Sequence, residues 1–148
     1  MTTFKTSIEI NASLETVYEA LTSLEKYPEW HPGIKKIFGS VEQGQWLTAY
    51  FGKGKRSVKI PLHISVLQKN KSLEWQGSLF KKGMFRKYFL VRHAFYVEDI
   101  GNGKTKFTNE EEFSKLLSKP VKRIENKFIQ GYERVNLALK NYCETQSR

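Results

Sequence analysis

Cysteine occurs once in this sequence, as Cys143, which excludes an intrachain disulfide and any site built from several thiolates. No activating motif surrounds it, so a structural or incidental place near the frayed end of the last helix is expected rather than catalysis. Long apolar runs are missing as well: nothing approaches the roughly 18–20 residues that span a bilayer. The start, Met1-Thr2-Thr3-Phe4-Lys5, enters an alternating pattern directly, without a signal-peptide core, and the chain reads as cytoplasmic. Internal repeats, low-complexity tracts and linkers are absent, so residues 1–148 read as one domain, large enough to bury about two thirds of its unfolded surface. Histidine occurs three times. His31, His63 and His93 do not fall at metal-ligand spacing, and no motif calls for a metal or a cofactor.

Acidic residues are the other shortage. Fifteen Asp and Glu face twenty-five Lys and Arg, a formal charge of +10, with a pI near 9.7. Such a balance favours nucleic acid, anionic lipid or an acidic ligand, but it is also what solvated loops and strand ends provide for solubility. The basic residues cluster: Lys35 and Lys36; Lys53, Lys55, Arg56 and Lys59; Lys69 and Lys71; Lys81, Lys82, Arg86 and Lys87; Lys122, Arg123 and Lys127. The first two clusters, on neighbouring hairpin ends, would make one basic rim.

What the chain has in quantity is bulky apolar side chains, with Phe 10, Tyr 7 and Trp 3 against a mean hydropathy of −0.54. Val121, Ile124, Phe128, Tyr132, Val135, Leu139 and Tyr142 recur at steps of three or four, one apolar stripe on a long helix. From Lys119 to Cys143 it would run roughly 35 Å. Upstream, Phe4 to Ile10 alternates as a strand. Ser13 is placed to cap a helix whose buried side is Leu14, Val17, Ala20, Leu21 and Leu24, with Glu15 at its positive end. Pro28 and Trp30-His31-Pro32-Gly33 break that helix, and a short helix or turn is expected from Gly33 to Phe38.

A meander follows. Trp46 to Phe51 is a strand, Gly52-Lys53-Gly54 turns it, and Val58, Ile60, Leu62, Ile64 and Val66 mark one face of a long strand. Pro61 within it points to a sheet edge or a bulge. Ser72 to Gly77 is a further strand, and Lys81-Lys82-Gly83 a loop. Phe85 to Val97 reads as the longest strand, apolar on both faces and therefore central, with His93 the one titratable group in the row Phe89, Val91, His93, Phe95 and Val97. Gly101-Asn102-Gly103 is a hairpin turn, and Lys104 to Phe113 returns. If the hairpin preserves facing, His93, Asn109 and Glu111 look into one interior.

Strand, helix, Pro/Trp break, antiparallel meander and long C-terminal helix make an α+β helix-grip arrangement, a curved sheet wrapped around the last helix. The chain resembles the START-like (SRPBCC) superfamily, particularly its polyketide cyclase/dehydrase and lipid-transport group. The likeness rests on Ser13-Leu14-Glu15-Thr16-Val17-Tyr18, Tyr27-Pro28-Glu29-Trp30-His31-Pro32, Arg92-His93-Ala94-Phe95, Gly101-Asn102-Gly103-Lys104-Thr105 and Glu111-Glu112-Phe113-Ser114. It implies that Trp30 and Pro32 follow the first helix, and that His93 with Phe95, and Glu111 with Phe113, lie on adjacent strands beside a cavity. The chain departs from the group's Phe-Ser-Gly at Phe113-Ser114-Lys115.

A partly hollow core would be lined by Trp30, Phe51, Ile60, Trp75, Phe89, Phe95 and Phe128, with His93, Asn109 and Glu111 orienting the polar end of a small hydrophobic or lipid-like guest. A basic mouth would favour anionic guests or an anionic membrane surface. His93 as general acid/base, in a cyclase or dehydratase, is the catalytic alternative. Nucleic acid is disfavoured because the aromatics alternate inward and no RNP-type strand is present. A protein partner is a third possibility, and oligomeric state is open.

Overall fold

The computed structural model describes residues 1–78, 84 and 86–146. Seven antiparallel strands form one curved sheet in the order β1-β7-β6-β5-β4-β3-β2. They are β1 (Thr2–Ile10), β2 (Ile34–Phe38), β3 (Trp46–Phe51), β4 (Val58–Gln68), β5 (Ser72–Ser78), β6 (Leu90–Gly101) and β7 (Lys104–Phe113). Among the described residues four α-helices accompany it: α1 (Leu14–Thr22), α2 (Tyr27–Trp30), α3 (Lys115–Arg123) and α4 (Glu125–Gln146). This is the helix-grip arrangement.

Ser13 caps α1 by accepting from the Thr16 amide at 3.2 Å, and Glu15 occupies the first turn. Val17, Tyr18, Ala20 and Leu21 form the buried side of α1. Tyr27 is fully buried and donates its hydroxyl to the Leu21 carbonyl at 2.7 Å, locking α2 to α1. Thr105 ties β7 to the β1–α1 junction by donating to the Ala12 carbonyl at 2.8 Å. At the far end of α4, the Asn11 amide donates to Glu144 and Lys140 donates to the Glu9 carbonyl, each at 2.9 Å.

Four expectations are corrected. The C-terminal stripe is carried by two helices, because Ile124 leaves helical geometry (φ −120°, ψ 25°) and is exposed; the first helix starts at Lys115, ahead of the expected Lys119, with Pro120 inside it. The segment after Gly33 is strand β2. A bulge between Ile34 and Lys36 turns two isoleucines three apart to the same buried side, which mimics a helical step. The strand expected from Phe85 begins at Leu90, after a single 3-10 turn at Arg86–Phe89, while Phe85 itself and the Lys81-Lys82-Gly83 loop lie outside the described residues. Cys143 is not at a frayed end: it is completely buried, and burial pushes its thiol up to about 12.

A second bulge, between Ile64 and Val66, hands the core-facing position from Val66 to Leu67. Pro61 pairs with Thr48 of β3, whereas the β4–β5 ladder runs only as far as Leu62 and Gly77. The proline thus sits where an interior strand is paired on one side, and its missing amide proton costs no ladder bond there.

The core has two parts. The larger gathers α1, α2 and the middle of the sheet around Tyr27, Trp30, Ile64, Trp75, Phe95 and Leu139. The smaller lies under α3 and the start of α4, where Phe4, Phe113, Val121 and Tyr132 pack with Phe128.

Candidate functional site

The two parts of the core do not close on each other along their whole length. Between them lies a cavity of about 290 Å³ whose walls are Phe51, Val58, Ile60, Pro61, Leu62, Gly77 and Val91, with His93 and Glu111 as its inner polar groups and Lys59 and Ser78 also on its lining. Phe51, Ile60 and Leu62 belong to the edge of the larger cluster and Val91 to that of the smaller. Gly77 keeps this gap: a Cβ there would stand 3.2 Å from Leu62 and 3.7 Å from Ile60.

The Gly101-Asn102-Gly103 hairpin sets the register that pairs His93 with Glu111 and Phe95 with Asn109. His93 Nε2 lies 2.6 Å from Asn109 Oδ1. Asn109 donates to Asn136 of α4 at 3.3 Å, and Asn136 donates to Thr6 of β1 at 2.9 Å. Asn109 and Asn136 are buried and the bond between them is made away from water, so leaving it unmade would cost about 1–3 kcal/mol. With the amides oriented in this way Asn109 Oδ1 is an acceptor and His93 donates to it from Nε2. Tyr132 donates its hydroxyl to Glu111. Burial, reinforced by the adjacent carboxylate, pushes the Tyr132 phenol well above its ordinary range, so it stays protonated and remains a donor.

Of the residues expected to line a cavity, Phe51, Ile60, His93 and Glu111 meet in this one. Trp75 and Phe95 lie one layer behind, packing against His93 with ring centroids at 6.1 and 4.5 Å. Asn109 reaches the space only through His93. Trp30 is deeper still, against Tyr27 at 4.9 Å, and its indole N–H is buried without a hydrogen-bond partner among the described residues. Phe128 belongs to the smaller cluster, 5.8 Å from Phe4 and 5.1 Å from Phe113. Phe89 sits on the 3-10 turn before β6, off the cavity wall.

Three participants were not singled out from the sequence. Tyr132 lay in the apolar stripe, where its hydroxyl had no visible target. Asn136 falls on the buried side of the same helix between Tyr132 and Leu139, and a polar residue on an apolar face was the available signal. His31 packs on Tyr27 at 5.9 Å and Trp30 at 5.2 Å, and its Nδ1 accepts the Gly33 and Ile34 amides at 3.0 Å each. Burial, with a smaller contribution from His93, lowers its pKa to about 3. His31 therefore shapes the start of β2 as a neutral ring. Among the described residues no three His, Cys, Asp or Glu side chains gather as a metal site, and no helix is long and apolar enough to cross a membrane.

The same architecture recurs among solved structures. A protein of Nitrosomonas europaea superposes with a TM-score of 0.80 at 12% identity, covering 98% of this chain and 96% of its own. The Zhui aromatase/cyclase from Streptomyces sp. R1128 gives 0.75 at 10% identity, over 99% and 96%. A START superfamily protein from Mycobacterium smegmatis gives 0.72 at 18% identity, over 97% and 98%. No curated protein matches the chain by sequence. Residues 1–144 match the family model described as polyketide cyclase / dehydrase and lipid transport, and the chain belongs to that family.

Proposed function

We propose that the chain binds a compact, mostly hydrophobic molecule with one polar end in the cavity between β3–β4 and β6–β7. The observation that carries this reading is the cavity's make-up, about 290 Å³ with hydrocarbon and phenyl walls and with His93 and Glu111 together at one side. Pockets for small molecules occupy about 300–1,000 Å³ and use a few polar groups to fix orientation. A volume at the small end of that range suits a two- or three-ring compound or a single modest acyl chain, rather than a two-chain lipid. Glu111, already an acceptor for Tyr132, stands on the lining, so the site suits a guest that offers a hydroxyl or phenol.

Native mass spectrometry of protein isolated from its own cells, followed by denaturing extraction, tests the reading. A stoichiometric adduct that disappears in the cavity-filling Ile60→Trp variant is expected. Unliganded wild type that also fails to bind an environment-sensitive naphthalene sulfonate dye would sink it.

A second reading is favoured by the cross-strand pairing of His93 with Glu111. A histidine whose Nε2–H is held by Asn109 is positioned to take and return a proton at Nδ1, as a cyclase or dehydratase needs. Under that reading His93→Ala keeps the guest and loses turnover; unchanged turnover would leave His93 an orienting group only.

A further inference from the structure

Basic charge is concentrated at one end of the sheet, the end at which the cavity lies. That end is set by the ladders, since Phe51 with Val58, Ser78 with Leu90, and Phe113 with both Val91 and Thr2 bring their strands to a close there. Phe128, seated on Phe4 and Phe113, puts the start of α4 over the same end. Lys53, Lys55, Arg56 and Lys59 stand exposed around the β3–β4 turn, and Lys115, Lys119, Lys122 and Arg123 stand exposed on α3. No acidic residue lies between Glu42 and Glu74 or between Glu112 and Glu125 to offset them. At the opposite end Lys69, Lys71 and Lys104 are matched by Glu15, Glu42, Glu98 and Asp99. On the sheet's outer face Arg92 is held by Glu74 at 2.8 Å and Glu110 at 2.6 Å, so that face presents no continuous basic stripe.

The same end also exposes large apolar side chains: Val58 at 64%, Leu116 at 55%, Ile124 at 45% and Tyr88 at 43%. Lysine and arginine alone suit any polyanion. Aliphatic groups standing among them do not help bind a phosphodiester strand, but they gain about 25 cal/mol for each Å² moved from water into hydrocarbon. Clusters of four to eight basic residues beside exposed aliphatics are the pattern that anionic bilayers attract.

We propose that this end of the molecule docks on an anionic lipid bilayer, with the α3 and β3–β4 basic residues on the headgroups, Leu116, Ile124 and Val58 at the acyl boundary, and the cavity mouth facing the membrane. Docking does not depend on what the cavity holds. Dye binding in vesicle-free solution reads the cavity and vesicle partitioning reads the surface, so either reading can fail alone.

The test is cosedimentation of the full chain with phosphatidylcholine vesicles, with and without phosphatidylglycerol. Binding is expected only with phosphatidylglycerol, weakening as salt rises. The triple variant Lys119→Glu, Lys122→Glu, Arg123→Glu should partition roughly a hundredfold less or worse, from about fivefold for each charge neutralised. The control Lys69→Glu, Lys71→Glu, Lys104→Glu, at the other end, should bind nearly as wild type does. Leu116→Ser should bind several-fold less at unchanged melting temperature. Equal losses in the two triple variants would overturn an oriented surface. So would full binding by Leu116→Ser, or an oligonucleotide that binds tighter than the vesicles and displaces the protein from them.

Discussion

His31 and Asn109 show what single side chains contribute. The His31 value of about 3 lies below the 6.5 of an unperturbed imidazole. As pH falls below about 6.5 the unfolded chain takes up a proton that the native ring refuses. The native state therefore loses up to about 1.4 kcal/mol per pH unit to this residue, down to about pH 3. Urea midpoints should show the stability gap between wild type and His31→Gln narrowing from neutral pH to about pH 5. Asn109→Leu strands the His93 Nε2–H and the Asn136 carbonyl inside the protein, a loss of about 2–3 kcal/mol. In the cycle of Asn109→Ala with Asn136→Ala the losses should fall short of additivity by at least ~0.5 kcal/mol, since either change breaks the same chain of bonds. The approach of His93, Asn109 and Glu111 was legible in advance because a two-strand hairpin with a glycine turn transmits facing at period two. Asn136 and Tyr132 were not, because which helix face meets which strand is decided by packing between segments far apart in sequence.

Elements fail or hold at their junctions. Gly52, at φ +155°, closes the β3–β4 turn, and a Cβ there would stand 2.1 Å from the Arg56 carbonyl oxygen. Gly52→Ala must move backbone, so a cost of about 1–3 kcal/mol is expected, read by thermal melting. Dye affinity should fall as well, because the turn carries Phe51 and Val58 of the cavity wall. Phe128→Ala opens a gap beside Phe4, Phe113 and Tyr132 and should cost about 3 kcal/mol, with little change in dye affinity, since the ring lies off the cavity. β1, β3, β4, β5, β7 and α1 followed from alternation and capping to within about two residues, whereas β6 starts at Leu90 rather than Phe85 and β2 stands where a helix or turn was expected. The elements that deviated are those where one residue resets the count. The β2 bulge gives Ile34 and Ile37 a helix-like spacing. The bulge between Ile64 and Val66 moves Leu67 inward. Ile124 interrupts a helix whose apolar stripe continues across the interruption.

Taken whole, the molecule joins a sheet and a helix around two core clusters, with the cavity in the seam between them. A guest that binds only the closed fold stabilises all of it by mass action. At a hundred times its dissociation constant the gain is about 2.7 kcal/mol, and a chain of this length should melt about 5–10 °C higher. Differential scanning fluorimetry with any compound recovered from the native protein checks this. Ile60→Trp should abolish the shift if its ring fills the space. The strand order has a consequence for how the chain is made. Among the described strands β1 pairs only with β7, from Thr2 with Phe113 to Ile10 with Thr105. On a ribosome adding about 5–20 residues per second, the first strand emerges roughly 5–20 s before its partner exists. Phe4, Ile8 and Ile10 spend that interval without their partner strand, so within this domain the first strand is among the last elements to be secured, and nascent chains stalled before β7 should be the species that chaperones hold.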